Sequence, residues 1–223
     1  QSCLLKFQLD QHFLRLIMYQ FFRRDRALIM ARPVEFEYND VLTNAMEQFW
    51  REGFEASSVQ KLLDVTGINR GTLYNSFGDK DTFFKACLDH YNKLIAKDLD
   101  ASLNNADLAP WAAIEKYFDL TVISVTNKQR GMGCLLVNSL CESINYNKDI
   151  QKIVRNSFAI VRKALLKRVK DAEKAGKLKK GVSADFAVEA LMNVLYGLRV
   201  NSRDAKPSKQ LAEIVKFTVD SLQ

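Results

Sequence analysis

The residues able to do chemistry in this chain are few, and most are arranged for recognition rather than catalysis. Only two histidines, His12 and His90, occur among 223 residues, so a histidine-based metal site or a Ser-His-Asp triad has almost no material. No glycine-rich phosphate loop is present, and the carboxylates are scattered as solvated charges on helical faces. The chain is therefore not expected to be an enzyme, and no catalytic residue, metal or cofactor is assigned. One run of side chains suited to recognition is Asn69-Arg70-Gly71-Thr72-Leu73-Tyr74-Asn75. On a short helix side chains of these types could meet the edges of duplex DNA. Arg70 could donate twice to a guanine and the Thr72 methyl could meet a thymine methyl. Gly71 lets the backbone come close, and Tyr74 and Asn75 reach phosphates or a further base edge. Lys80 stands in the first turn of the following helix, where free amides favour an anion such as phosphate. Ser57 and Ser58 offer the same kind of contact one helix earlier. The plain alternative for all of these is a solvated helix face.

The elements that must position the cluster are helices. Val41, Leu42, Ala45, Met46 and Phe49 form a stripe at helical spacing that ends at Gly53, a stop signal. Ser57 or Ser58 can cap a second helix carrying Val59, Leu62 and Leu63. Thr66-Gly67-Ile68 breaks it, and Gly67 tolerates the positive φ of a tight turn. Asn69 caps a third, short helix with Leu73 and Phe77 on its inner side. Asp79 then caps a long helix through Phe83, Phe84, Cys87, Leu88, Tyr91 and Leu94-Ile95. Further helices are expected at about 110–127, 133–145, 149–175, 184–202 and 208–221. No alternating strand pattern and no internal repeat is found. The fold class is all-α with roughly nine helices. The segment 58–77 reads as a helix-turn-helix, although that spacing alone is shared by many helical hairpins.

Composition narrows the class without naming it. Hydrophobic residues are 48% and charged residues 26%, ordinary for a globular chain. Four cysteines are too few for a disulfide scaffold and are expected to stay reduced in a cytoplasm. No apolar run is long enough for a membrane span. The net charge of +7 permits an anionic partner but does not establish one. From Met30 to Lys80 five basic residues face eight acidic ones, so the cluster sits on a slightly acidic module. The basic excess lies in 148–180, which has twelve basic residues against three acids. Its apolar positions Ile153, Phe158, Val161, Leu165 and Val169 describe a core helix with a solvated basic face. An RNA or membrane surface would need aromatic interleaving or interfacial character that this stretch lacks. Residues 1–29 read as an upstream extension, with Met30 as the natural initiator. Their apolar stretch is interrupted by Arg15 and its charges follow it, the reverse of a secretory signal.

The residue detail is more specific than the spacing. Gly53-Phe54-Glu55-Ala56-Ser57-Ser58-Val59 and Gly67-Ile68-Asn69-Arg70-Gly71-Thr72-Leu73-Tyr74-Asn75-Ser76-Phe77-Gly78-Asp79-Lys80 closely resemble the TetR/AcrR family of bacterial transcriptional regulators. Asn69 replaces a common Ser but keeps a capping side chain. Leu63 and Gly78 depart from the usual Ala and Pro. The resemblance is strong over the first 60 residues after Met30 and looser beyond. It implies a DNA-binding domain at 30–95 and a C-terminal ligand-binding and dimerisation domain at 96–223. It also implies a homodimer formed by the last two helices, with Phe186, Ala190, Leu191, Val194, Leu195 and Leu198 facing Leu211, Ile214, Val215, Thr218 and Leu222. The function implied is a repressor on a palindromic double-stranded operator, released by a small-molecule or electrophile inducer, with no membrane partner. A helical protein–protein adaptor that kept the fold but lost operator binding is the alternative; the intact Arg70, Gly71, Thr72, Tyr74 and Lys80 weigh against it.

Candidate ligand contacts are Tyr117, Phe118, Thr121, Cys134, Asn138, Phe158 and Tyr196, each of which could equally be plain core. Cys134 is expected in the first turn of a helix, where amides and the dipole favour a thiolate. Gly133-Cys134-Leu135-Leu136-Val137-Asn138-Ser139 and Tyr196-Gly197-Leu198-Arg199-Val200 resemble one branch of that family, some of whose regulators sense electrophiles or oxidants through a thiol at a matching position. Cys141, seven residues on, would lie about 10 Å away along one helix, beyond the roughly 7 Å reach between Cα atoms of a disulfide. The alternative for Cys134 is a buried small hydrophobe.

Overall fold

Side-chain caps set most helix starts in this protein. The computed structural model describes residues 34–204 and 207–223, with side chains from residue 38 onward; the expected extension 1–29 lies outside them. The principal helices are α1 (Val34–Glu52), α2 (Val59–Thr66), α3 (Arg70–Phe77), α4 (Lys80–Asp100), α5 (Pro110–Phe118), α6 (Leu135–Glu142), α7 (Lys148–Lys174), α8 (Ala184–Asn201) and α9 (Ser208–Leu222). A short helix, Asn127–Met132, precedes α6. There is no strand among the described residues. Side-chain oxygens of Ser58, Asn69, Asp79, Asn147 and Ser183 accept backbone amides at the starts of α2, α3, α4, α7 and α8, satisfying donors a helix end leaves free. Asp79 is held below the usual carboxylate range chiefly by the Thr82 amide it accepts.

Val41–Gln223 make one compact unit with two apolar cores. The first joins α1–α3 and the first half of α4 to Met132, Cys134–Val137, Tyr146 and the start of α7. Aromatic rings fill it: Phe49 and Phe84 centroids are 4.7 Å apart, Phe54 and Phe84 5.0 Å, and Phe77 stacks on Phe83 at 4.1 Å. The second core gathers the end of α4, α5, most of α7, α8 and α9. Ile95, Phe158 and Tyr196 pack against both, so α4, α7 and α8 are the shared walls.

Three expectations are corrected here. The helix expected over 110–127 stops at Phe118 and continues as a π-helical turn, Asp119–Ile123. Hydroxyls compete for its bonds: Thr121 donates to the Tyr117 carbonyl at 2.7 Å and Ser124 to the Asp119 carboxylate at 2.6 Å. Such side-chain bonds loosen a regular helix. A reciprocal Thr126–Gln129 capping box then starts the short helix. Second, Cys134 is the N-cap residue of α6, in extended conformation, rather than a member of its first turn. Third, Arg168 does not belong to a solvated basic face. It is buried, and its guanidinium donates to the carbonyls of Leu103 at 2.6 Å, Leu108 at 3.4 Å and Asn105. One cation thus ties down the loop between α4 and α5.

The expected pairing of α8 with α9 across a dimer divides into two sets. Leu191, Leu195, Leu198, Leu211, Val215 and Leu222 are buried inside this chain. Phe186, Ile214 and Phe217 stand 64%, 42% and 75% exposed.

Candidate nucleic-acid interface and ligand cavity

Local sequence builds the helix-turn-helix. α2 ends at Gly67, whose φ of 70° is a left-handed cap, and its amide closes on the Leu63 carbonyl at 2.9 Å. Asn69 then restarts the chain as α3 by accepting the Thr72 amide at 2.8 Å. Leu62, Leu73 and Phe77 are buried and fix the two helices against α1 and α4. On α3, Arg70, Gly71, Thr72, Tyr74 and Asn75 are all exposed. At about 100° per residue, Gly71, Thr72 and Asn75 lie opposite the Leu73–Phe77 edge. A continuous polar face is therefore presented outward by a helix whose other side is locked.

The flanking candidates separate. Ser58 is exposed and caps α2 through the Lys61 amide. Ser57 is fully buried, and its hydroxyl donates to the Gly53 carbonyl at 2.6 Å. A phosphate contact from Ser57 is corrected on that ground. Its hydroxyl instead fastens the α1–α2 turn. Lys80 starts α4 with its ammonium 4.3 Å above the Phe54 ring, a cation–π arrangement. Burial lowers its pKa, opposed by the charges of Glu55, Asp81 and Glu142.

A second constellation lies behind the first. A cavity of about 290 Å³ is walled by α1, α4, α5, the π-helical turn, α6, α7 and α8. Of the expected ligand residues it includes Tyr117, Thr121, Cys134 and Phe158. Phe118 is packed in the second core and is not among the lining residues. Asn138 spends its amide on the carbonyls of Trp50 and Met132, at 3.2 and 3.0 Å. Tyr196 stacks edge-on to Phe158 at 5.0 Å, behind the wall. These three are corrected as cavity-lining residues.

Sequence reasoning missed Trp50, Tyr91, Asp98 and Arg199, which also line the cavity. Tyr91 donates to the Cys134 sulfur at 3.5 Å, and its ring meets Trp50 edge-on at 5.1 Å. Burial pushes the phenols of Tyr91 and Tyr117 up, so both stay neutral donors. Burial likewise raises the Asp98 carboxyl, against the pull of Arg199. No spacing rule could have joined these residues, because they sit on three helices far apart in sequence.

Among the described residues no three His, Cys, Asp or Glu side chains come together as metal ligands. No described helix is long and apolar enough to cross a membrane.

A capped helix-turn-helix with an outward polar recognition helix, backed by a cavity-bearing helical bundle, defines a helix-turn-helix transcriptional regulator. The model of the bacterial regulatory proteins, tetR family, matches residues 41–87, the stretch that holds the helix-turn-helix. The HTH-type transcriptional repressor ComR of Escherichia coli (strain K12) is 26% identical over 189 residues, 85% of this chain and 90% of ComR. YezE of Bacillus subtilis (strain 168), an uncharacterized HTH-type transcriptional regulator, is 27% identical over 195 residues, 86% of this chain and 92% of its own length. The fold matches the TetR-family regulator CifR, a cysteine mutant complexed with 26-bp double-strand operator DNA. That match has a TM-score of 0.68 at 23% identity, over 82% of this chain and 95% of CifR.

Proposed function

We propose that this chain is a homodimeric repressor acting in the cytoplasm, bound to a two-fold operator through α3 and released when its cavity is filled. The observation that carries this reading is the course of α4. Its first residue, Lys80, follows the recognition helix by two residues, and Tyr91, Leu94, Ile95 and Asp98 further along it line the cavity. From Lys80 to Tyr91 the helix rises about 16 Å, so a ligand that tilts α4 moves α3 as a lever does. In a dimer, a small tilt in each subunit alters the spacing of two recognition helices, which must match major grooves about one turn, or a multiple of one turn, apart. Exposed Phe186, Ile214 and Phe217 on α8 and α9 supply the apolar face that such a dimer would cover.

Arg70, Gly71, Thr72, Tyr74 and Asn75 are assigned to the major groove, with Asn69 and Ser58 at the helix starts and Lys80 on a phosphate. The test is a footprint on DNA upstream of the protein's own gene, followed by a ligand screen for release. A protected near-palindrome is expected. Coupling is reciprocal, so operator should weaken inducer binding by the factor that inducer weakens operator binding. Failure to protect any duplex would replace this reading with the adaptor.

Cys134 in the cavity wall favours a second form of the signal, an electrophile that alkylates this thiol. Release of operator by a quinone in wild type but not in Cys134→Ser is the expected result. Equal sensitivity of both proteins would leave a reversible ligand as the inducer.

A further inference from the structure

The cavity contains a cation with no counter-ion. Arg199 projects from the last turn of α8 and lines it. Among the described residues its guanidinium makes no hydrogen bond and no ion pair within 4.0 Å. The groups that bear on it electrostatically are Cys134, Tyr91, Tyr117 and Asp98, and all four line the same cavity. The guanidinium is therefore directed among the cavity walls rather than away from them. Of those four only Asp98 can carry a full negative charge readily. It lies outside ion-pair distance, and burial raises its carboxyl despite Arg199, so it is a poor counter-charge.

A stranded donor stands in the same walls. The Trp50 indole nitrogen is buried and has no acceptor among the described residues. Guanidinium and indole N–H groups are donors only; Arg199 is half-buried, and for the buried indole a missing acceptor is costly. Lys97 at the rim adds a further positive charge. Around these groups the surface is apolar and aromatic: Leu94, Ile95, Leu136, Phe158, Val161 and Leu195. The missing complement is thus an acceptor-rich anion carried on an apolar body. At about 290 Å³ the space lies at the small end of ligand pockets, which run from roughly 300 to 1,000 Å³.

We propose that this cavity is a receptor site for a small aromatic or aliphatic carboxylate, whose anion pairs with the Arg199 guanidinium while its body lies against Phe158 and Leu195. This rests on the reading above that the cavity receives a small molecule. A carboxylate fits the planar guanidinium fork, which can donate to both oxygens at once. Trp50 belongs to α1 and Asp98 to α4, so an occupant held between α8 and these helices touches the DNA-binding half directly.

The experiment uses the full chain with benzoate, phenylacetate, cinnamate and octanoate, each against its neutral amide and the matching amine. Binding is read by calorimetry and thermal shift, and operator affinity by fluorescence anisotropy. At least one acid is expected to bind about 30-fold or more tightly than its amide, the scale of a lost buried charge partner. Arg199→Gln should erase that preference and Arg199→Lys should keep part of it, with circular dichroism confirming the fold. Should Arg199→Gln fail to fold, the acid-to-amide ratio on wild type decides. Amides or amines that bind as tightly as the acids overturn the proposal, as does the absence of acid binding up to about 10 mM, weaker than ordinary specific sites. Acid binding that leaves operator affinity unchanged supports the anion site and overturns the inducer reading. Release of operator by neutral ligands alone does the opposite.

Discussion

Replacing Gly53 by Ala should destabilise this protein far more than the same change at Gly67, although both glycines sit at the end of a helix with positive φ. Gly53 has φ of 85° and Gly67 φ of 70°, so both variants incur the cost of a left-handed alanine, about 1–2 kcal/mol. The difference lies in what the new methyl meets. At Gly67 nothing lies within 4 Å; at Gly53 the Cβ would run into Glu142 Oε1 and stand 2.8 Å from its Cδ. The Glu142 carboxylate is not free to swing aside, because its other oxygen accepts the Phe54 amide at 3.0 Å and the Tyr146 hydroxyl at 3.2 Å. Moving it breaks both bonds. Each is partly solvated, so about 1 kcal/mol apiece is a fair value. Gly53→Ala should then cost about 3–4 kcal/mol against about 1–2 kcal/mol for Gly67→Ala. At roughly 2–4 °C per kcal/mol for a chain of this size, thermal denaturation followed by circular dichroism should separate the two by several degrees. Glu142→Ala should make room for the methyl, so the Gly53→Ala/Glu142→Ala double variant should lose less than the sum of the single losses. Equal losses for the two glycine variants, or strict additivity with Glu142→Ala, would refute the idea that Glu142 clamps the α1–α2 turn.

Arg70→Ala should cost about 1–3 kcal/mol of operator binding and relax preference at one base pair, whereas Lys80→Ala should weaken all duplexes alike and reduce the salt slope by about one unit; gel shifts on base-substituted operators at several salt concentrations distinguish the two roles. Phe217→Glu should turn a dimer into a folded monomer that binds operator poorly, read by light scattering during gel filtration; a dimer that survives this change and Phe186→Glu would move the interface elsewhere. Burial raises the Asp98 carboxyl in the folded state, so its contribution to stability is present at low pH and lost as pH rises through the folded value. Asp98→Asn should therefore melt above wild type near pH 8 and lose that advantage near pH 4. A pH-independent difference would show that Asp98 is not desolvated in the fold.

The parts of the molecule legible in sequence are those whose instructions are local. Ser58, Gly67, Asn69 and Asp79 each act on a neighbour within three or four residues, so caps and breaks locate α2, α3 and the start of α4 before any tertiary contact is known. Local rules fail where two adjacent residues compete for one role. Ser57 and Ser58 are equivalent as letters, but only the backbone decides that one caps α2 while the other faces inward to Gly53. They fail again at 119–123, where the apolar pattern still reads as helix and hydroxyl bonds convert it to a wider turn. The cavity is the extreme case. Tyr117 and Phe118 are neighbours of like character and both are buried in the second core, yet only Tyr117 also reaches the cavity. Arg199 sits among apolar residues of α8, where its pattern reads as one solvated position on an amphipathic helix. It becomes a cavity cation only because Tyr91 and Asp98 of α4 and Cys134 at the start of α6 line the same space. A helix beside such a space gains function from the residue that its own packing leaves unpaired, and in this chain that residue faces α4, the helix that begins at the recognition helix.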